Sequence, residues 1–523
     1  MSAPDVLKVV LTNRNAAKAK YGASGWRRIR AAVTTLVKAD AARGIATRFF
    51  ALDSAADCRN VGATPITEAG DAEKVKATID SIFATRNPAY LMLLGGPELV
   101  PLVNLANPLW TGDPSHDPDP TVPSDLPYAC DSPYTLTASS YRGPTRVVGR
   151  LADLTGDTDP EALLVQLHHA ATAGSVRRAS PEPVFAVSAK VWVGSTTKSV
   201  AGLPDVSGAV RTSPTDGPAW TAADVAPRVH FVNCHGAEFD PNWYGQVAPS
   251  NWNLPVAIAA ANVTPSMVPG QVVAAECCYG TAHWHPSAAG GQASVALSYL
   301  LGGASGVFGS STVAYGPAST TEYADVICRL FVEQVLGGAS IGRAALVARQ
   351  RFIQSQAFLD PIDVKTLAQF ALLGDPSAVP FVTGAGVAPG AGGAGGTAAA
   401  TKTALRRALV SPPMASRSIR TRRDTLTAIG EALHRTTVSC SATSRPRAQM
   451  THRSLAALLG RTVPPDTVIR AYDAERAAGP LPRGLAPRAQ VAFLPPMARE
   501  AASLVVVRED PGGPPDVRVV LRR

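Results

Sequence analysis

Two short apolar runs each end in residues able to do thiol chemistry: Val229-His-Phe-Val-Asn-Cys-His-Gly236 and Val272-Val-Ala-Ala-Glu-Cys-Cys-Tyr-Gly280. Each run breaks at a glycine-containing turn, the pattern of a buried strand ending at a sheet edge. Open α/β sheets place their chemistry at the carboxyl ends of strands. A free thiol is mostly protonated at neutral pH, so a base within reach must generate the thiolate. His235 suits that task, because imidazole titrates near neutrality. Gly236 carries no Cβ to hold a substrate carbonyl away. Its N–H and that of Cys278 form a candidate oxyanion hole for a tetrahedral intermediate. The interval from His235 to Cys278 is 43 residues (278 − 235), room for a helix and a loop between adjacent parallel strands.

Two adjacent cysteines leave the nucleophile ambiguous. Neighbouring residues of a strand point to opposite faces, so only one thiol can meet His235. Where Glu276–Gly280 resembles the Glu-x-Cys box of caspase-like families the match selects Cys278, and where it resembles the Cys-x-x-Gly of gingipains it selects Cys277; Cys278 is preferred. Zinc is a rival reading, since Cys234, His235, Cys277, Cys278, His283 and His285 are all potential ligands. Their spacings lack the separated Cys pairs of structural zinc sites. A buried cysteine can also be simply a small hydrophobe.

The box Glu276-Cys277-Cys278-Tyr279-Gly280 resembles the nucleophile boxes of caspases, legumains and metacaspases, and Asn233-Cys234-His235-Gly236 resembles their His-Gly strand end. The 43-residue interval is of the order of the ~50 residues seen in caspases. Other segments resemble the gingipain family: Tyr90–Pro101, Val122–Tyr128, Arg146–Leu151 and Leu372-Leu-Gly-Asp-Pro-Ser377, in that order across residues 5–383. The resemblance implies a caspase-like three-layer αβα sandwich with a mostly parallel sheet, and a cysteine endopeptidase acting through a Cys278–His235 dyad and a thioester. A catalytically inactive caspase-like scaffold is the alternative. Peptide or protein is the implied substrate. Glu276, Glu238, Asp240, Trp243 and Trp284 are candidate substrate-binding residues, with Trp243 and Trp284 equally readable as core. Some gingipain relatives bind Ca²⁺, and a Pro/Asp-rich loop at 111–134 carries Asp113, Asp117, Asp119, Asp125 and Asp131. No other cofactor is expected.

Composition divides the chain. Residues 401–523 hold 21 Lys and Arg against 9 Asp and Glu, a net of +12; the remainder holds 28 against 31, a net of −3. The basic tail reads as an Arg-rich accessory module of α+β type, tethered to the peptidase-like region (1–383) by a Gly/Ala-rich flexible linker (384–400) and therefore separable from it. Arginine favours planar contact with acidic groups. A protein partner or other acidic surface is thus a candidate, alongside the plainer reading of a codon-biased solvated face. Scarce aromatics disfavour nucleic acid. The Ala-, Gly- and Pro-rich composition resembles a high-GC bacterial proteome. No apolar stretch is long enough to span a membrane, and the N-terminal residues lack the pattern of a secretory signal. Seven cysteines, two of them adjacent, do not form a disulfide framework. Reduced thiols and a cytoplasmic location are the expectation.

The elements that must position the site follow from periodicity. Strands are predicted at Leu7–Thr12, Thr47–Asp53, Ala89–Leu94, Arg146–Leu151, Pro183–Val193 and Gly306–Tyr315. Helices are predicted at Gly25–Arg43, Asp71–Ala84, Pro160–Thr172, Gly290–Leu301, Thr320–Leu336 and Ile341–Phe358. In the tail, helices at Asp424–His434 and His452–Leu459 precede a hairpin of Ser503–Asp510 and Asp516–Leu521. Alternating strands and helices predict a helix-covered parallel sheet.

Overall fold

A computed structural model describes residues 6–249, 251, 253–263, 267–356 and 359–382, and beyond them 438–439, 450–459, 463–464, 466–474, 488–494, 503–509 and 516–522. The expected linker at 384–400 and the helix at Asp424–His434 lie outside the described residues.

The body is a mixed α/β fold. Its strands are β1 (Val6–Thr12), β2 (Ile45–Ala51), β3 (Tyr90–Leu94), β4 (Val148–Leu151), β5 (Glu182–Ala189), β6 (Val210–Ser213), β7 (Val229–Asn233), β8 (Val272–Ala275), β9 (Gly306–Ser310), β10 (Tyr315–Gly316) and β11 (Phe370–Gly374). The central sheet runs β6-β5-β7-β8-β9-β11-β4-β3-β1-β2. Neighbours are parallel except β9 and β11, which are antiparallel. With the short strand Val206–Ser207 pairing parallel with β5, the sheet is two parallel halves, of six and five strands, running in opposite directions across one seam. β3, β4, β7, β8, β9 and β11 are buried at every residue. Continuous apolar strands of this kind need helices on both faces.

Those helices are α1 (Arg14–Ala42), α2 (Ala72–Arg86), α3 (Glu161–Thr172), α4 (Val193–Ala201), α5 (Val295–Leu301), α6 (Tyr323–Leu336), α7 (Ile341–Gln354) and α8 (Pro361–Gln369). The Asp71 side chain accepts from the Lys74 N–H at 2.9 Å and starts α2, as its sequence predicts. α1 begins well before the predicted Gly25, capped by Asn13 on the Ala16 N–H, and is interrupted at Gly22. α5 starts only at Val295, because Gly290 and Gly291 hold left-handed backbone at φ 62° and 89°. α7 ends at Gln354 rather than Phe358. In the half of the sheet that carries β7 and β8, Phe231 and Ala274 pack on one face with Phe331 of α6 and Phe352 of α7. On the other face, Val232, Cys234, Ala275 and Cys277 pack with Val295 and Tyr299 of α5. His230 lies in that second core, beside the Tyr299 hydroxyl at 2.9 Å and two backbone carbonyls. Burial pushes its pKa down to about 4, so it serves as a neutral packing residue.

The Gly-Asp-Pro box ties the chain ends of the body together. Lys8 of β1, fully buried, donates to Asp375 at 2.8 Å and to the Ser377 hydroxyl at 3.0 Å, and pairs with Asp40 at 2.6 Å. Burial alone would raise the Asp375 pKa; Lys8 and Arg43 reverse that and hold it below the usual carboxylate range. Lys8→Met leaves buried Asp375 without its paired ammonium and Asp40 with Arg43 alone, and we expect it to cost about 3–5 kcal/mol. Denaturant unfolding measures this; a loss under about 1 kcal/mol would mean that the network behaves like a surface pair.

The tail contributes α9 (His452–Leu459) and four longer antiparallel strands, β12 (Val468–Ala474), β13 (Arg488–Leu494), β14 (Ser503–Glu509) and β15 (Asp516–Arg522), with the two-residue strand Val438–Ser439 pairing β12. The predicted terminal hairpin is β14–β15. The described strands of the tail meet the body: β10 pairs antiparallel with β15, Tyr315 opposite Arg522 and Gly316 opposite Leu521.

Candidate active site

β7 and β8 are hydrogen-bonded neighbours in the register Phe231↔Ala274 and Val232↔Ala275. The ladder continues one residue past β8, with the Glu276 N–H donating to the Val232 carbonyl at 2.8 Å. Two-residue alternation within the strands puts Phe231, Asn233 and Ala274 on one face, and packing separates the two thiols beyond them. Asn233 donates to Thr196 of α4 at 3.0 Å, and His235 lies against Trp192, ring centroids 4.4 Å apart, just before α4. Cys278 shares an apolar cluster with Tyr323 of α6. Cys277 points to the opposite core with Cys234 and Tyr299.

The strand ends touch. A Cβ on Gly236 would stand 2.0 Å from the Cys278 carbonyl oxygen, so only glycine permits the approach. Among the described residues the Gly236 N–H donates to no protein acceptor. The turn after the cysteines is held by Ser310, whose hydroxyl donates to the Cys277 carbonyl at 2.7 Å. Tyr279 adopts φ 52°, the left-handed region that disfavours a bulky residue. Its hydroxyl is anchored on Asp119 at 2.8 Å, and its N–H on Thr312 at 3.0 Å. The Ala314 N–H donates to the Cys278 sulfur at 3.3 Å.

His235 is fixed at both backbone and ring. Its N–H and C=O exchange bonds of 2.9 Å with Tyr244, which leads out of a short antiparallel pair, Asn242–Tyr244 with Val256–Ala259. Its Nε2 stands 2.8 Å from the Gln246 Oε1. The Gln246 amide nitrogen donates to the carbonyls of Ala248 at 3.0 Å and Asn251 at 3.2 Å, so Oε1 must face the imidazole. That assigns the ring: Nε2–H donates to Gln246, and the lone pair is on Nδ1. Gln246 is 2 % exposed and is pinned by backbone bonds to Ser213 and Val191. Sequence reasoning passed over it; the one local signal is its place after Gly245, close behind the His loop.

The thiols differ in chemistry as well as direction. Burial pushes the Cys277 thiol well up, and the neighbouring Cys234 adds to the shift. Burial likewise raises Cys234. Neither provides a ready thiolate.

The other candidate residues scatter. Glu276 is fully buried. Glu238 is exposed on the loop after His235, its carboxyl raised by partial burial and by Asp119. Asp240 accepts from the Tyr244 hydroxyl at 2.7 Å and from Asn242. Trp243 is not brought to the cleft: it is 3 % exposed, stacked on Tyr299 in the Cys277 core. Trp284 is buried near Phe239 and donates to the Gln292 carbonyl. His283 Nδ1–H donates to the Thr281 carbonyl at 3.2 Å, and His285 meets Ser287. Of the loop carboxylates, Asp117 and Asp119 pair with buried Lys365 at 2.6 and 3.3 Å, and Asp125 with Arg150. Asp113 caps its own turn and Asp131 is exposed. Among the described residues no three His, Cys, Asp or Glu side chains converge as metal ligands.

No family profile matches the sequence, and no curated protein does. Among solved structures the chain is similar to the Saccharomyces cerevisiae separase–securin complex, at 10 % identity and a TM-score of 0.31, over 60 % of this chain and 18 % of that one. So partial and shallow an overlay carries no argument about the site. No described helix is long and apolar enough to cross a membrane.

Proposed function

We propose that the protein is a cysteine endopeptidase of caspase-like, gingipain-like architecture. The reading rests on one observation above all: β7 and β8 are paired parallel neighbours, and just beyond their ends Gly236, next to His235, lies against the Cys278 backbone. His235 Nδ1 takes the Cys278 proton, and the sulfur attacks the scissile carbonyl carbon. The Gly236 and Cys278 N–H groups hold the resulting oxyanion. The intermediate expels the amine, which leaves with the proton from His235, and a thioester remains. Water, deprotonated by His235, attacks the thioester and returns the thiol. Gln246 holds the imidazole in the tautomer that these steps need. No disulfide joins any of the six described cysteines, which suits a reducing cytoplasm.

The test is a peptidyl electrophile on the full-length protein, followed by peptide mapping. A single adduct on Cys278 together with peptide hydrolysis supports the reading. A Cys278 that forms no adduct even after prolonged exposure, in a protein that hydrolyses no peptide, favours the non-catalytic scaffold. That second reading draws on the burial of Cys278, which is only 2 % exposed.

A further inference from the structure

A nucleophile must be reached by its substrate, yet Cys278 sits beneath the C-terminal sheet. It belongs to one apolar cluster with Val313 and Tyr315 of the body and with Val491, Phe493, Leu504 and Val520 of β13, β14 and β15. The residue whose N–H meets the Cys278 sulfur, Ala314, leads directly into β10, and the edge of β10 is taken by β15. An extended peptide adds to a sheet by that same edge pairing. The tail is also tied down electrostatically. Arg508, 6 % exposed, donates to Asp360 at 2.7 Å and to Asp363 at 2.8 Å beside α8, and Arg518 pairs with Glu322. Arg470 donates to the Thr111 carbonyl, and the Phe493 and His116 rings lie 5.0 Å apart. Two of the tail's arginines, Arg508 and Arg518, thus find acidic partners in the body.

We propose that the C-terminal sheet is a built-in cover: β15 occupies the strand position beside Cys278 that a peptide substrate must take, and activity requires the cover to lift. The proposal rests on Cys278 being the working thiol, and it is tested with a readout that needs no peptidase activity. In the full-length protein, alkylation of Cys278 by iodoacetamide is followed by peptide mass mapping, beside hydrolysis of a peptide mixture. Arg508→Ala strands the buried Asp360–Asp363 pair and loosens docking. Arg518→Ala, at a partly exposed pair, is the milder variant should the first fail to fold. Arg211→Ala, on the surface of the body, is the control.

The expected result is at least a tenfold faster alkylation of Cys278 in the docking variants, with the control unchanged. If hydrolysis rises in parallel, cover and enzyme both stand. If alkylation rises and no variant hydrolyses peptide, the cover stands and the peptidase reading falls. Alkylation of the unaltered protein as fast as that of a free thiol would overturn the cover. So would docking variants that lose hydrolysis at unchanged alkylation, since the sheet would then complete the site rather than block it.

Discussion

Cys278→Ala is expected to abolish both peptide hydrolysis and labelling by a peptidyl electrophile, while Cys277→Ala keeps at least about a tenth of the activity, a loss within ~1.4 kcal/mol. The two residues are adjacent in the chain and differ in almost everything else. Cys278 lies against the Gly236 backbone, one residue from His235. Cys277 is locked in the core with Cys234 and Tyr299, its sulfur 4.0 Å from the Val232 carbonyl. Its thiol is pushed well up by burial, so a thiolate there is disfavoured and has no imidazole to form it. Replacing its sulfur by hydrogen costs packing, and stability should fall modestly without moving the catalytic face. The opposite pattern, with Cys277→Ala inactive and folded and Cys278→Ala active, would mean that the turn after β8 is rotated and that Cys-x-x-Gly is the operative spacing.

The strand ends that carry this pair are legible because a buried parallel strand has a strong local signature: an apolar run stopped by glycine. Alternation also makes the opposite facing of Cys277 and Cys278 legible in the residue order itself. The antiparallel seam is a different matter. β11 follows α8 with no turn residue between Gln369 and Phe370, and strand direction leaves no mark on composition. A lone strand read as Leu-Leu-Gly-Asp-Pro gives no hint that it reverses half of the sheet. The Pro/Asp loop shows a related limit. Three of its carboxylates, Asp117, Asp119 and Asp125, are paired with Lys365 and Arg150, residues outside the loop. The tail shows the same limit. Arg508 is one arginine among many until α8 brings Asp360 and Asp363 to it. Long-range pairing decides which charges are buried, and no window of sequence contains both partners.

Gln246 is the site residue least visible in the sequence, and it supports the second large expected effect. His235→Ala should lower kcat by at least ~10²-fold, as expected for loss of the general acid–base group. Gln246→Met, close in volume but without the accepting oxygen, is expected to cost on the order of 10²-fold in kcat with KM little changed, because the ring keeps its place against Trp192 but loses its orientation. The pH dependence separates positioning from bulk structure. The Gln246 oxygen accepts from Nε2–H and so favours imidazolium. Removing it should move the limb of the kcat/KM profile that reports His235 to lower pH. Gln246→Glu places a carboxylate there and should move the same limb to higher pH, at some cost in stability where the amide had donated to Ala248 and Asn251. Shifts in opposite directions require a bond from this side chain to the working imidazole. Two variants with unmoved limbs and equal losses would show that Gln246 only braces the loop between Tyr244 and Asn251, and the base would then owe its tautomer to another neighbour.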